Sequence, residues 1–249
     1  MLAQTLPPGM LASRTWLLHQ GFSVHSLDNA LKSGEVVALV PGVYTQPGLS
    51  LNWQGVAASL NRIADQPVYI GGLSALELQG TGHYARASSQ MHLYAFSKAP
   101  GWLAKLPVST EFHWHNASKL WGNDPSVCQF QQESWWEGLP PYLVAKKEQA
   151  FIEVLEQVPQ QVSFEHADQL AQSLTSLSPK RLDQALRHCQ SIKAKRLLFF
   201  FAKRQRYAWA RRLAPEDYDL GAGKRMLVPG GRLDRQLLIT VPKAFYEQE

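Results

Sequence analysis

The sequence predicts an α+β protein, an N-terminal winged helix-turn-helix followed by a larger mixed α+β C-terminal domain. Three observations predict it. The first fifty residues run helix, glycine turn, helix, hairpin. The remainder mixes segments of helical and of strand period. And a chain of 249 residues with 45% hydrophobic and 18% charged side chains has the balance of a protein that buries a core. No apolar run approaches the roughly 18 residues of a membrane span. The opening residues, Met1 to Met10, lack the basic-then-apolar pattern of a secretion signal, so the expected compartment is the cytoplasm. Cys128 and Cys189 are too few for a disulfide framework or a cysteine-built zinc site.

The elements of the first domain, placed at residues 1–50, follow from their punctuation. Ser13 can cap a helix over Arg14 to Gln20, and Gly21 stops it. Ser23 caps a second helix in which Val24, Leu27 and Leu31 mark the inward side, with Gly34 just past its end. Gly21-Phe22-Ser23 is the spacing of a helix-turn-helix. Val36 to Val40, the turn Pro41-Gly42 and Val43 to Thr45 complete a hairpin. In a winged helix the second helix enters the DNA major groove and the hairpin touches the backbone. The candidate DNA-contacting residues are therefore Ser23, His25, Ser26, Asn29 and Lys32 on the second helix and Thr45 on the wing. Asn suits adenine, and Lys and Ser suit phosphates or base edges. Arg14 and Lys32 are balanced by Asp28 and Glu35, so this domain alone offers little phosphate attraction.

The second domain, residues 51–249 with a sub-boundary near 130–147, reads as α+β. Helical patterns cover Trp53 to Ala64 and Leu73 to Gln79, and strands are predicted at Val68 to Ile70, Met91 to Ala95 and Glu111 to His115. Glu133 to Pro141 is a connection. Helices follow at Glu148 to Val158, at Phe164 to Leu174 behind Ser163, from Ser178-Pro179, and from Ser191 to about Tyr207. Strands near Met226 to Val228 and Leu237 to Val241 flank Gly230-Gly231.

Charge is unevenly spread. The net charge is +5, but Lys180 to Arg212 holds eleven basic residues against Asp183 alone, which leaves a net −5 for the rest. Such asymmetry points to an anionic partner, nucleic acid or acidic protein. The blander alternative is balance in space by acids such as Glu148, Glu153 and Glu156. Within the last predicted helix, Leu197 to Ala202 is apolar all round and so belongs to a core. The flanking Lys193, Lys195, Arg196, Lys203, Arg204 and Arg206 are candidates for additional phosphate contacts.

Enzyme signatures are weak. Gly221-Ala222-Gly223-Lys224-Arg225 imitates the end of a phosphate-binding loop but puts Arg225 where Ser or Thr must hold magnesium, and Tyr218 where the first Gly belongs. His113 and His115 share a strand face but lack a third ligand at useful spacing, which favours exposed surface histidines. Asp217 and Asp219 fit turn residues better than a cation site. Cys189 beside Leu186 fits burial better than an activated nucleophile. A non-enzymatic protein without cofactor or metal is expected.

Several blocks along the chain resemble one known family. They are Gly42-Val43-Tyr44, Trp53 with Ala57 to Leu60, Tyr69 to Gly80, His83-Tyr84, Ser163-Phe164, Leu177-Ser178-Pro179, Ser191 to Leu197, Leu220 to Arg225 and Ile239 to Pro242. In this order they are similar to the AbiEi family, antitoxins and transcriptional autoregulators of type IV (AbiE, abortive infection) toxin–antitoxin systems. The resemblance implies a winged helix that binds inverted repeats in duplex DNA at its own promoter. It also implies a C-terminal domain that opposes a nucleotidyltransferase toxin encoded next door, without a stable complex. One departure is Pro41, where family wings carry a basic residue. The competing reading is a protein-interaction module whose winged helix and basic C-terminal face bind an acidic partner. A third is a metal-dependent nucleic-acid enzyme using Asp217, Asp219 and Lys224.

Overall fold

The computed structural model describes residues 5–81 and 90–246. The His83-Tyr84 pair lies outside them. The chain divides into two compact units. One comprises Met1–Ile70, Arg86–Asn116 and Phe130–Val144, and the other Gly71–Ala85, Ala117–Gln129 and Ala145–Glu249.

In the first unit, serine caps set the helix starts. The Ser13 hydroxyl accepts from the Trp16 amide and opens α1 (Arg14–His19), directly after the short strand β1 (Leu11–Ser13). Ser23 accepts from Ser26 and opens α2 (Val24–Ser33). Gly34, at φ 76°, closes it in the left-handed region that glycine enters without steric cost. The wing strands β2 (Val37–Val40) and β3 (Val43–Thr45) follow, and β1 adds to them in the order β1-β3-β2. The sequence pattern missed β1 because three residues are too few to show a period. Its register is fixed from elsewhere. The Leu11 amide donates to Ser59 Oγ at 2.9 Å, and that hydroxyl donates to the Gly55 carbonyl. Both serve α3 (Trp53–Ile63), in which Gly55 is obligatory because a Cβ there would lie 1.9 Å from the Gly9 carbonyl oxygen.

A five-stranded sheet completes this unit. It comprises β4 (Val68–Ile70), β5 (Gln90–Ala95), β6 (Glu111–Asn116), β7 (Phe130–Glu133) and β8 (Tyr142–Ala145), in the order β6-β5-β4-β8-β7. β7 and β8 flank the expected connection and were not anticipated. One face carries a ladder of rings. Phe130 meets Tyr69 at 4.6 Å, Tyr69 meets Tyr94, Tyr94 meets His115 at 4.6 Å, and His115 and His113 both stack on His92. The parallel β5–β6 register sets His92 opposite His113 and Tyr94 opposite His115. His113 and His115 are thus half-buried members of a stack, not exposed surface groups, because β5 supplies a third imidazole.

The second unit is mainly helical. Its elements are α4 (Gly72–Leu78), α5 (Ser118–Trp121), α6 (Lys147–Gln157), α7 (Phe164–Ser173), α8 (Pro179–His188), α9 (Ile192–Gln205), β9 (Arg232–Asp234) and β10 (Ile239–Val241). Ser163, Ser178 and Ser191 cap α7, α8 and α9 as their positions predict. The fully buried Glu153 carboxylate ties three helices together, accepting from the Gly72 amide, Trp121 Nε1 and Gln149 Nε2. Leu197 to Ala202 lie in the core, where Phe200 and Phe201 pack on Phe245. Met226 to Val228 is not a strand. The Leu227 and Val228 amides donate to Thr240 Oγ1 instead of a backbone ladder, and β10 pairs with β9. Among the described residues, no helix is long and apolar enough to cross a membrane.

Burial, with the neighbouring imidazoles, lowers His92 to about 4 from 6.5, and His115 also to about 4. Between those pH values the unfolded chain binds protons that the folded chain refuses, so stability should fall as pH drops through the window. Urea unfolding across it is expected to show that fall, and His92→Gln to flatten it. A variant profile parallel to the parent's would contradict the burial of a neutral stack.

Candidate functional site

The outward side of α2 gathers five of the sequence-predicted residues. Leu27 and Ala30 are buried and Leu31 half-buried, which anchors the helix on its unit; Leu27 alone contributes on the order of 2 kcal/mol. Ser23, His25, Ser26, Asn29 and Lys32 are all exposed. Asn29 Nδ2 donates to His25 Nε2 at 3.1 Å, one turn apart. This pair orients the carboxamide while leaving its Oδ1 and second N–H to face outward. The Ser26 hydroxyl donates back to the Ser23 carbonyl and firms the first turn.

Two expectations for this domain fail. Thr45 is 6% exposed, and its hydroxyl donates to the Met10 carbonyl at 2.7 Å, so it serves the β1–β3 junction and reaches no ligand. Val24 does not face inward. It is 46% exposed because it is the first residue after the cap, ahead of the Leu27–Ala30–Leu31 stripe. An apolar side chain beside His25 is suited to the methyl group of thymine. The cap at Ser23 was the signal that could have placed Val24 correctly.

Four of the six cations flanking the α9 core are withdrawn from any phosphate role. Arg196 is 1% exposed, and its guanidinium donates to four carbonyls: Leu220 at 2.7 Å, Gly221 and Gly223 at 2.9 Å and Leu238 at 3.1 Å. Lys195 is 4% exposed. Lys193 donates to the Glu156 carbonyl and pairs with its carboxylate. Arg204 pairs with the buried Asp168 at 3.1 Å, donates to the Phe245 carbonyl and lies over the Phe245 ring. Lys203 and Arg206 remain exposed, and among the described residues neither forms an ion pair.

The acids are used as the balanced alternative expected, in part. Glu148, 2% exposed, holds Arg181 through two hydrogen bonds of 2.9 and 3.1 Å, and Glu156 holds Lys193. Glu153 instead binds the helix junction described above.

The glycine-rich 220–225 segment owes its shape to Arg196. Three of its carbonyls point at that guanidinium, and Asp219 accepts from the Gly221 amide as a turn residue. Cys189 is buried, and burial pushes its thiol up to about 12, far from nucleophilic activation. Among the described residues, no three His, Cys, Asp or Glu side chains gather where a metal ion could be held.

Comparison with known proteins gives two family matches. A model described as a transcriptional regulator, AbiEi antitoxin of a type IV toxin–antitoxin system, matches residues 88–242, and a model of the AbiEi antitoxin N-terminal domain matches residues 1–87. No curated protein matches the chain. Among solved structures the chain is similar to the RV2827C protein from Mycobacterium tuberculosis, with 14% identity, a TM-score of 0.52, and coverage of 92% of this chain and 85% of that one. At that identity the likeness shows the fold alone.

If Arg196 is structural and Lys203 is not, their truncations should differ in stability. Arg196→Met is expected to cost about 3 kcal/mol, since it leaves buried carbonyls unpaired. Lys203→Met should stay within about 0.5 kcal/mol of the parent. Urea midpoints of the two variants check this, and equal midpoints would refute it.

Proposed function

The chain belongs to the AbiEi family of transcriptional-regulator antitoxins of type IV toxin–antitoxin systems, and on that premise we propose that it represses its own promoter by reading bases with α2. In this reading residues 1–50 hold the operator, and residues 51–249 oppose a nucleotidyltransferase toxin in the cytoplasm without a stable complex. The observation that carries it is the uninterrupted polar side of α2. His25, Ser26, Asn29 and Lys32 stand exposed over a buried Leu27–Ala30 anchor.

The chemistry of that side favours recognition over raw attraction. Asn29 presents a carboxamide oriented by His25, the arrangement needed for an acceptor and a donor on adenine. Exposed Val24 adds a methyl-sized contact for thymine at the same end. The wing is nearly neutral, with Val37 exposed at 42% and Pro41 at its turn. Lys32 and Arg14 are therefore the main phosphate partners of this domain. Few phosphates per copy means a shallow salt dependence, roughly 0.9 in log–log slope for each contact. Two copies on inverted half-sites, about one helical turn apart, would recover affinity by acting together.

A gel shift with the DNA upstream of the gene tests this directly. Asn29→Ala should weaken operator binding by about 1–3 kcal/mol while leaving thermal stability unchanged, because the side chain is exposed. The residual binding should lose its preference at one base pair. Full-strength, sequence-specific binding by the variant would overturn the assignment of α2 as the reading element.

A further inference from the structure

We propose that the second unit carries a nucleotide-binding pocket at the C-terminal end of α9. A cavity of about 420 Å³ opens there, walled by Phe199, Tyr207 and Leu213 and rimmed by Lys203, Arg206 and Arg211. Its volume falls in the range of small-molecule sites and accommodates one nucleotide. Apolar and aromatic walls suit a base, and cations on the rim suit its phosphates. No carboxylate lines the cavity. Asp168 is bound to Arg204 and Gln205, Asp183 to Arg187 and Tyr218, and Asp234 accepts from the Gln236 and Leu237 amides and from the Tyr246 hydroxyl. Among the described residues none of Lys203, Arg206 and Arg211 forms an ion pair. Their charge is left for a ligand.

Two details support a built site over an accidental hollow. Tyr207 is held in place, its hydroxyl donating to the Gln172 carbonyl at 2.5 Å, so its ring is a fixed wall. Arg206 ends α9 in the left-handed region, at φ 54° and ψ 29°, a backbone position where glycine would relax the chain. That conformation is spent on a cation shared by this cavity and by a second one of about 400 Å³, whose lining includes Gln172, Gln205, Tyr246 and the hydrogen-bonded carboxylate of Asp234. Lys203 is likewise common to both. A base against the apolar and aromatic lining would leave its phosphates beside the two shared cations. Gln236, whose Oε1 lies 3.4 Å from Lys203 Nζ, is the one neutral side-chain amide in the lining.

The proposal is independent of operator binding. Two sources share the chemistry, a free nucleotide and a nucleotide of a single strand. Calorimetric titration of the full chain with ATP, inorganic triphosphate, a short single-stranded RNA and an acidic peptide separates them. Saturable ATP binding that exceeds triphosphate binding supports a free nucleotide, and RNA binding that ATP displaces supports a strand. Arg206→Gly should weaken whichever binds by about tenfold, the loss of one charge-assisted contact. Because the same substitution relaxes the backbone, its melting temperature should stay level or rise, which separates lost binding from lost folding. Triphosphate binding equal to that of ATP would overturn the proposal. So would binding of neither nucleotide nor RNA, or preference for an acidic peptide.

Discussion

A guanidinium buried without a hydrogen-bonded carboxylate constrains the second unit. Arg196 must find partners for its donors inside the protein, and it finds them in carbonyls of the 220–223 turn and of Leu238. Carbonyl dipoles can solvate a charge only if they converge, so the turn is bent toward α9. A loop that imitates a phosphate cradle in sequence is thereby turned the other way. Three of its carbonyls face the Arg196 guanidinium, and its Gly221 amide is taken by Asp219.

The same rule sorts the whole basic stretch. Most cations in the first half of the 180–212 segment are paired or buried: Arg181 with Glu148, Arg187 with Asp183, Lys193 with Glu156, Lys195 and Arg196 within the fold. Beyond the α9 core, Asp168 holds Arg204, and among the described residues Lys203, Arg206, Arg211 and Arg212 form no ion pair. Exposed charge then accumulates at Lys203, Arg206, Arg211 and Arg212. A large local charge in the sequence thus becomes a smaller, localised one on the surface. The regulator's helix α2 meets the opposite condition. It has little charge and a continuous polar side, the surface on which the proposed base reading rests.

Much of this was legible in the sequence because caps and periods are local. Ser23 and Gly34 bound α2 correctly, and the apolar run of α9 is core. What was not legible depended on distant partners. β1 exists because Ser59 and the wing hold it, and β7 and β8 are read only once β4 lies beside β8. The Met226–Val228 strand failed because a threonine hydroxyl took the amides that a ladder would use. Within the candidate site, exposure of Asn29 and Lys32 followed from helical period. Thr45 did not, since its partner Met10 lies 35 residues away. Nothing local distinguishes Arg196, which is caged, from Arg206, which is free.

Lysine reactivity tests this division of charge most directly. Brief acetylation of the native protein, with and without operator DNA, reports each amine by peptide mass. Lys32 and Lys203 should react quickly and Lys193 and Lys195 slowly, and DNA should protect Lys32 while sparing Lys203. Uniform rates across the four amines, or DNA protection of Lys203 with none at Lys32, would contradict the account.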